Sequence, residues 1–315
     1  MVNIINPSYE IIEEKNIYKK VELCGRLAYK SEEKITEDSH IKFIRKIIRS
    51  GHESVIEHGV ISLDVDKRVF HGVLSFLRWR NKPNYLKITR SNGKNIITGN
   101  IKSFRDLYRD SDGMLDVVNA IIFTIKLKYP IFFEDFNIKL EVNNRFRINI
   151  INDDIFISED DKLVNIYVSV RFICNRGYTH ELVRMRRDCA YTQESTRYCN
   201  YSMNKYGNQI TVIHPIDIEN TIDFDMWERS MKHCEVYYLR LLQNGLSPQI
   251  ARGVLPIDLK TEIIMTTNLL QWKYVFKLRA LNKRAHPAMR QLMVPLFKDM
   301  KERYPHVFRD MEIDN

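Results

Sequence analysis

Two short stretches with a period of two constrain what this chain can fold into. Ile61, Leu63 and Val65 alternate with Ser62 and Asp64, and Ile166, Val168, Val170 and Phe172 alternate in the same way. An apolar side chain at every second residue puts one face of a strand against a core, the pattern of a half-buried strand. Between these stretches, YLKITRSNGKNIITGN reads as a hairpin, with Asn92 and Gly93 suited to a tight turn. Helical spacing marks other segments. Ile41, Ile44, Ile47 and Ile48 share one face of a helix over residues 40–49, and Gly51 is placed to end it. Residues 115–128 read as helix and residues 136–157 as short strands. Thr179 is expected to N-cap a helix carrying His180, Glu181 and Arg184. Residues 226–242 form another helix, closing near Gly245, and Ser247-Pro248 begins the next. Residues 259–281 read as one long helix with Asn268, Trp272, Val275 and Arg279 on one face. His286-Pro287 opens a last helix, with a kink expected at Pro295. The expected class is α+β, with helices packed on a mainly antiparallel sheet.

The chemistry concentrates in RMRRDCAYTQESTRYCNY, residues 184–201. Arg184, Arg186, Arg187 and Arg197 flank the polar core Gln193, Glu194, Ser195 and Thr196. Guanidinium groups present planar forks that grip phosphate oxygens two at a time, and hydroxyls and amides complete such a cradle. A net charge of +9 agrees with an anionic partner. The 11 glycines include no GxGxxG and no GxxxxGK[ST], so any nucleotide must be held by side chains. No helix-turn-helix, zinc-finger or RNP-type signature supports a nucleic-acid partner. The five cysteines, Cys24, Cys174, Cys189, Cys199 and Cys234, are scattered without a CxxC, which argues against a disulfide framework or structural zinc. His52, Glu53, Glu57 and His58 are spaced HExxxEH rather than HExxH, so no metal site is expected there. No apolar run is long enough to span a bilayer and the N-terminal residues lack a signal-peptide layout. The expected location is cytoplasmic, away from membranes.

RMR followed by a spacer and QESTRY resembles the signature of flavin-dependent thymidylate synthases, in which Arg-His-Arg precedes a serine. GRLAYKSEEKITEDS, GHESVIEH, THELVR, ARGVLP and NLLQWKYVFKLRALNKRAHPAMR resemble further segments of that family and occur in its order. The resemblance implies one domain over residues 1–315 that methylates dUMP to dTMP. Methylenetetrahydrofolate would be the carbon donor, FAD the cofactor and NADPH the reductant. It implies a homotetramer with shared active sites. It also implies that residues 67–164 are an inserted α/β segment, since compact members carry only a short connection there.

Carried over residue by residue, the resemblance places Arg184, Ser195, Arg197 and Arg252 on the substrate, beside Glu181, Gln193, Glu194 and Thr196. Arg279 falls at the uracil ring. His52, Ser54, Glu57, Arg184, Arg186, Asn268 and His286 fall at the flavin. Salt bridges to Asp258 or Glu262 are the structural alternative for Arg252 and Arg279. Met185 replaces the signature histidine, and Leu270 stands where many relatives carry arginine. Two rivals remain: a pyrimidine hydroxymethylase on the same scaffold, and a nucleotide- or nucleic-acid-binding homologue that has lost FAD. Cys189, amid arginines that can lower a thiol pKa, is the alternative nucleophile, although flavin-dependent relatives need none.

Overall fold

The computed structural model describes residues 2–80, 85–138, 145–156, 158–218 and 220–313. The elements begin with β1 (Asn3–Ile5), β2 (Ser8–Ile11), α1 (Ile17–Leu27), α2 (Ser39–Arg49), β3 (Val60–Val65) and α3 (Lys67–Arg80). There follow β4 (Lys87–Ser91), β5 (Lys94–Asn100), α4 (Ile101–Ser111), α5 (Asp116–Lys128), β6 (Ile148–Ile151) and α6 (Glu159–Asn165). The C-terminal half contains β7 (Tyr167–Asn175), α7 (Arg176–Leu182), β8 (Ala190–Gln193), β9 (Thr211–Ile213) and α8 (Thr221–Gln243). It closes with α9 (Pro248–Ala251), β10 (Lys260–Asn268), α10 (Leu269–Phe276) and α11 (Pro287–Arg303).

Two four-stranded antiparallel sheets organise these elements, in the orders β2-β7-β10-β8 and β4-β5-β3-β6, while β1 and β9 form a parallel pair. The class is α+β, as the alternation of apolar residues implies. The centre of the first sheet is the pairing of β10 with β7, in register from Lys260 opposite Asn175 to Asn268 opposite Tyr167. This corrects the reading of residues 259–281 as one helix. Thr261, Ile263, Ile264, Thr266 and Thr267 are β-branched, and eight of the nine β10 residues are buried. A strand buried on both faces loses its alternation and cannot be told from a buried helix by periodicity alone. The helix starts only at Leu269, where the Asn268 side chain accepts the backbone N–H of Gln271 at 2.9 Å, and it ends in a π-helical turn, Lys277–Leu281.

A second correction concerns Thr179. The cap of α7 is Asn175, whose side chain accepts the N–H of Tyr178 at 2.8 Å; Thr179 lies inside the helix and donates to the Arg176 carbonyl at 2.9 Å. Its position one turn later makes it a back-bonding residue rather than a cap. The expected hairpin forms as β4 and β5, with Asn92 at φ 47° and Gly93 at φ 74°, the left-handed pair that a two-residue turn requires. Of residues 136–157, the described part contains one strand, β6; residues 139–144 and 157 lie outside the described residues.

One core sits between the first sheet and helices α10 and α11, around Trp272, Phe276, Phe297 and Phe308. A second joins Val21, Ile44 and Ile61 to Phe104, Ile121 and Phe132. Residues from both sides of position 67 thus bury one another. Ile96 and Phe156, from the same stretch, pack into the first core. No helix among the described residues is long and apolar enough to cross a membrane.

Candidate functional site

The turn after β8 is built from backbone hydrogen bonds. Glu194 N–H donates to the Glu262 carbonyl at 2.8 Å and Ser195 N–H to the Ala28 carbonyl at 3.0 Å. The Ser195 carbonyl then accepts the N–H groups of Tyr198 and Cys199, at 3.1 and 2.9 Å. This tight turn leaves Arg197 exposed, with its own N–H on Ser195 Oγ at 3.3 Å. Arg252, in the 3₁₀ turn following α9, approaches from the side and places Nη1 3.4 Å from Thr196 Oγ1. Gln193 is turned inward, donating to Thr179 and Thr261 hydroxyls at 3.1 and 3.2 Å.

Beneath this turn lies a cluster of paired charges. Glu194 is buried and accepts from Lys260 Nζ at 2.9 Å and from the Tyr201 hydroxyl at 3.1 Å. Glu262 meets Lys260 and Arg171, and Lys30 at 2.8 Å. Burial pushes the Glu262 carboxyl up, but Lys260 and Lys30 outweigh it and hold its pKa at about 2. Glu262 is therefore occupied, and Asp258 accepts from Asn175 and Trp227, both at 2.9 Å. Among the described residues, Arg252 forms no salt bridge with either carboxylate.

The arginine turn follows α7. Arg184, Arg186 and Arg187 are exposed, and Met185 between them is 6% exposed within the first core. The segment leaves the helix after Leu182 in a turn, and of residues 183–187 only Met185 is turned inward. Tyr191 holds the turn by donating to the carbonyls of Leu182 and Met185, at 2.9 and 2.7 Å. Asp188, at φ 51°, is fixed by Lys87 of β4 at 2.6 Å and, through its carbonyl, by Thr267 at 2.7 Å. Among the described residues, Arg184, Arg186, Arg187, Arg197 and Arg252 enter no ion pair. Burial pushes the Cys189 thiol up to about 11, so the neighbouring arginines do not make it a thiolate at neutral pH.

Arg279 occupies the π-helical turn and lies 3.4 Å from Glu181. Both line a shallow cavity of about 610 Å³ together with His286, Lys283, Arg284 and Arg290. His286 caps α11, its Nδ1 accepting the Ala288 N–H at 3.2 Å. Asn268 does not line this cavity. It is 1% exposed, and the face of α10 expected to join it to Arg279 carries Trp272 and Val275, both wholly buried in the core.

The HExxxEH segment divides by depth. Its 3₁₀ turn, Glu53–His58, is fastened to β10 and β8 by His58, whose ring nitrogens lie 2.7 Å from Thr266 Oγ1 and 2.9 Å from Thr192 Oγ1. Burial keeps this imidazole neutral, with a pKa lowered to about 3. Glu53 is buried against Arg105 at 2.9 Å and Arg109 at 2.6 Å. His52 and Ser54 are exposed, and burial pushes the part-buried Glu57 carboxyl up. Sequence reasoning missed the structural work of His58, Lys30 and Lys260. The polar residues within the β10 run were the available signal, since buried polar groups require partners.

Residues 163–306 match the family model described as Thymidylate synthase complementing protein. A flavin-dependent thymidylate synthase of Pyrococcus furiosus is 32% identical over 131 residues, which are 41% of this chain and 52% of that protein. One from Geobacter sulfurreducens is 31% identical over 137 residues, 43% of this chain and 56% of that protein. The chain thus spans about half the length of the curated relatives it matches. The crystal structure of a UMP/dUMP methylase PolB from Streptomyces cacaoi bound with 5-Br UMP superposes with a TM-score of 0.42 at 12% identity, over 96% of this chain and 92% of that one. The matched segment runs from within α6 to just beyond the end of α11 and contains both arginine surfaces, but not the turn at His52.

Proposed function

We propose that this chain, a divergent relative of the flavin-dependent thymidylate synthases over residues 163–306, methylates dUMP reductively to dTMP. The observation that carries the reading is the set of five exposed guanidinium groups without carboxylate partners, Arg197 and Arg252 at the QEST turn and Arg184, Arg186 and Arg187 at the other end of β8. Unpaired arginines beside a rigid hydroxyl-lined turn suit a phosphate monoester. Arg197, Ser195 and Arg252 would grip the dUMP phosphate, with Arg184 beside them. Gln193, Glu194 and Thr196 would shape the turn from within. Arg279, with its fork oriented by Glu181, would stabilise charge developing on a uracil carbonyl oxygen.

The donor chemistry fits a flavin dinucleotide in part. Exposed Arg184 and Arg186 complement a pyrophosphate, and exposed His52 and Ser54 offer further polar contacts, with Glu57 and His286 nearby in role. Asn268, already used as a helix cap, would act by ordering α10. When bound, FAD would carry reducing electrons from NADPH, with methylenetetrahydrofolate supplying the carbon. Cations left unpaired in one chain agree with sites completed by other copies, as in a homotetramer. Residues 67–164 would be an insert whose hairpin supports the arginine turn, given that Lys87 holds Asp188. The proposed setting is the cytoplasm.

The test supplies the purified chain with dUMP, labelled methylenetetrahydrofolate, FAD and NADPH, and identifies the nucleotide product. Labelled dTMP is expected. Arg279→Lys keeps the charge but loses the planar fork, and should lower turnover on the order of 10²-fold, as loss of an oxyanion donor does. Hydroxymethylated product instead of dTMP, or no product from flavin-loaded protein, would overturn the assignment.

A further inference from the structure

A cleft of about 630 Å³ shares no lining residue with the arginine surfaces; it is lined by strands of both four-stranded sheets and by the first turn of α1. Its size falls within the roughly 300–1,000 Å³ of small-molecule sites. Ile12, Ile17, Ile61, Ile151 and Val168 give it apolar walls, and Lys20 reaches into it from α1. Among the described residues Lys20 forms no ion pair. Burial lowers its pKa, against the weaker pull of Cys24, Asp153 and Glu14. The groups behind it supply no counter-charge. His58 is held neutral, and burial pushes the Cys24 thiol up to about 12. At the mouth, Glu13 is taken by Arg303 and Glu14 accepts the Asn16 N–H at 2.7 Å.

An ammonium in such surroundings is costly unless an anion pairs with it. The geometry points to a second ligand site, in which a small amphipathic carboxylate sets its head on Lys20 and its hydrocarbon chain along the isoleucine walls. Lys15 and Lys128 line the cleft as well, as does Asp153, whose repulsion a singly charged carboxylate meets less than a doubly charged phosphate would. The site is separate from the arginine surfaces and does not depend on the proposed reaction.

Hexanoate, hexylamine and hexanol serve as probes, titrated calorimetrically into the purified 315-residue chain. Saturable hexanoate binding is expected at about millimolar affinity, with hexylamine excluded and hexanol clearly weaker. Lys20→Met keeps most of the side-chain volume and should weaken hexanoate about tenfold or more, the scale of a lost charge-assisted contact. Val60→Trp, which fills the cleft and leaves Lys20 in place, should abolish binding. Equal hexanoate affinity in Lys20→Met, hexylamine binding as well as hexanoate, undiminished binding to Val60→Trp, or no saturable binding to the unaltered chain would each overturn the proposal.

Discussion

The charge cluster under the QEST turn and the arginine surface above it adjoin through Glu194 and Ser195, yet they treat charge in opposite ways. Below, Lys30, Lys260 and Arg171 converge on Glu262 and Glu194, and every member has an opposite partner within reach. Above, Arg197 and Arg252 stand exposed, as do Arg184, Arg186 and Arg187 at the other end of β8, with no carboxylate partner among the described residues. Burial explains the difference. Water reaches the lower cluster only in part and its carboxylates hardly at all, so pairing is favoured there, whereas the upper cations are solvated and remain available to an incoming anion. The lower cluster should therefore govern stability and the upper one binding.

The largest expected effect tests the lower half of this contrast. Glu262→Gln preserves shape but leaves three largely buried cations short of a partner, and should cost about 3–5 kcal/mol of stability in urea unfolding, the scale for breaking a buried pair. A loss within the scatter of surface substitutions would erase the distinction between the two regions. The same carboxylate sets an acid limit. Its folded pKa of about 2 lies below its ordinary 4.5, so its contribution is fully present above about pH 4.5 and is lost as the pH falls toward 2.

The upper half predicts the reverse pattern. Arg197→Ala should weaken dUMP binding by about 1.5–3 kcal/mol, the range for a hydrogen bond to a charged group. Its unfolding free energy should stay within about 0.5 kcal/mol of the unaltered chain, as for an exposed position whose guanidinium touches only the exposed Tyr198 ring. Calorimetric titration and denaturant melts on one preparation separate the two quantities. A stability loss as large as that of Glu262→Gln would show that Arg197 belongs to the structural set.

A smaller effect sharpens the comparison from a third position. His58 is buried and neutral, with a folded pKa of about 3 against an ordinary 6.5. Its contribution is present above about pH 6.5 and is lost as the pH falls toward 3, because the unfolded chain binds a proton there that the folded chain refuses. The slope is at most about 1.4 kcal/mol per pH unit, one proton's worth. His58→Gln should flatten the stability profile between pH 6 and 5, where Glu262 is still silent. An unchanged slope would mean that His58 takes up its proton in the folded state.

Much of the scaffold was legible because its signals are local. The Asn92-Gly93 turn, the alternation in β3 and β7, and the helical face of α2 each depend on neighbours within a few residues. Yet β3 is not half-buried as expected: Ser62 and Asp64 are buried too, by partners that their polar side chains could not reveal. The misreading of β10 has a physical origin. Its sequence is apolar or β-branched on both faces because sheet partners and helices cover both, and that removes the period by which a strand is recognised. Thr179 misled for a related reason: threonine both caps helices and back-bonds within them, and only the backbone decides which. The candidate arginines were visible as a cluster. That Met185 among them faces inward was not, since it follows from α7 ending at Leu182.

The sequence by itself determined the α+β class, the concentration of cations at residues 184–197 and the need for side chains rather than glycine loops to hold an anion. It left open which cations are free. That depends on burial and pairing between residues far apart, such as Lys30 with Glu262 across 232 positions and His58 with Thr266 across 208. The same holds for Lys20, an ordinary lysine in the sequence and an unpaired one beside the isoleucine walls of a cleft only when the two sheets are in place. Charge is a property of the residue, but its cost and its availability are set by the dielectric and the partners that tertiary structure supplies.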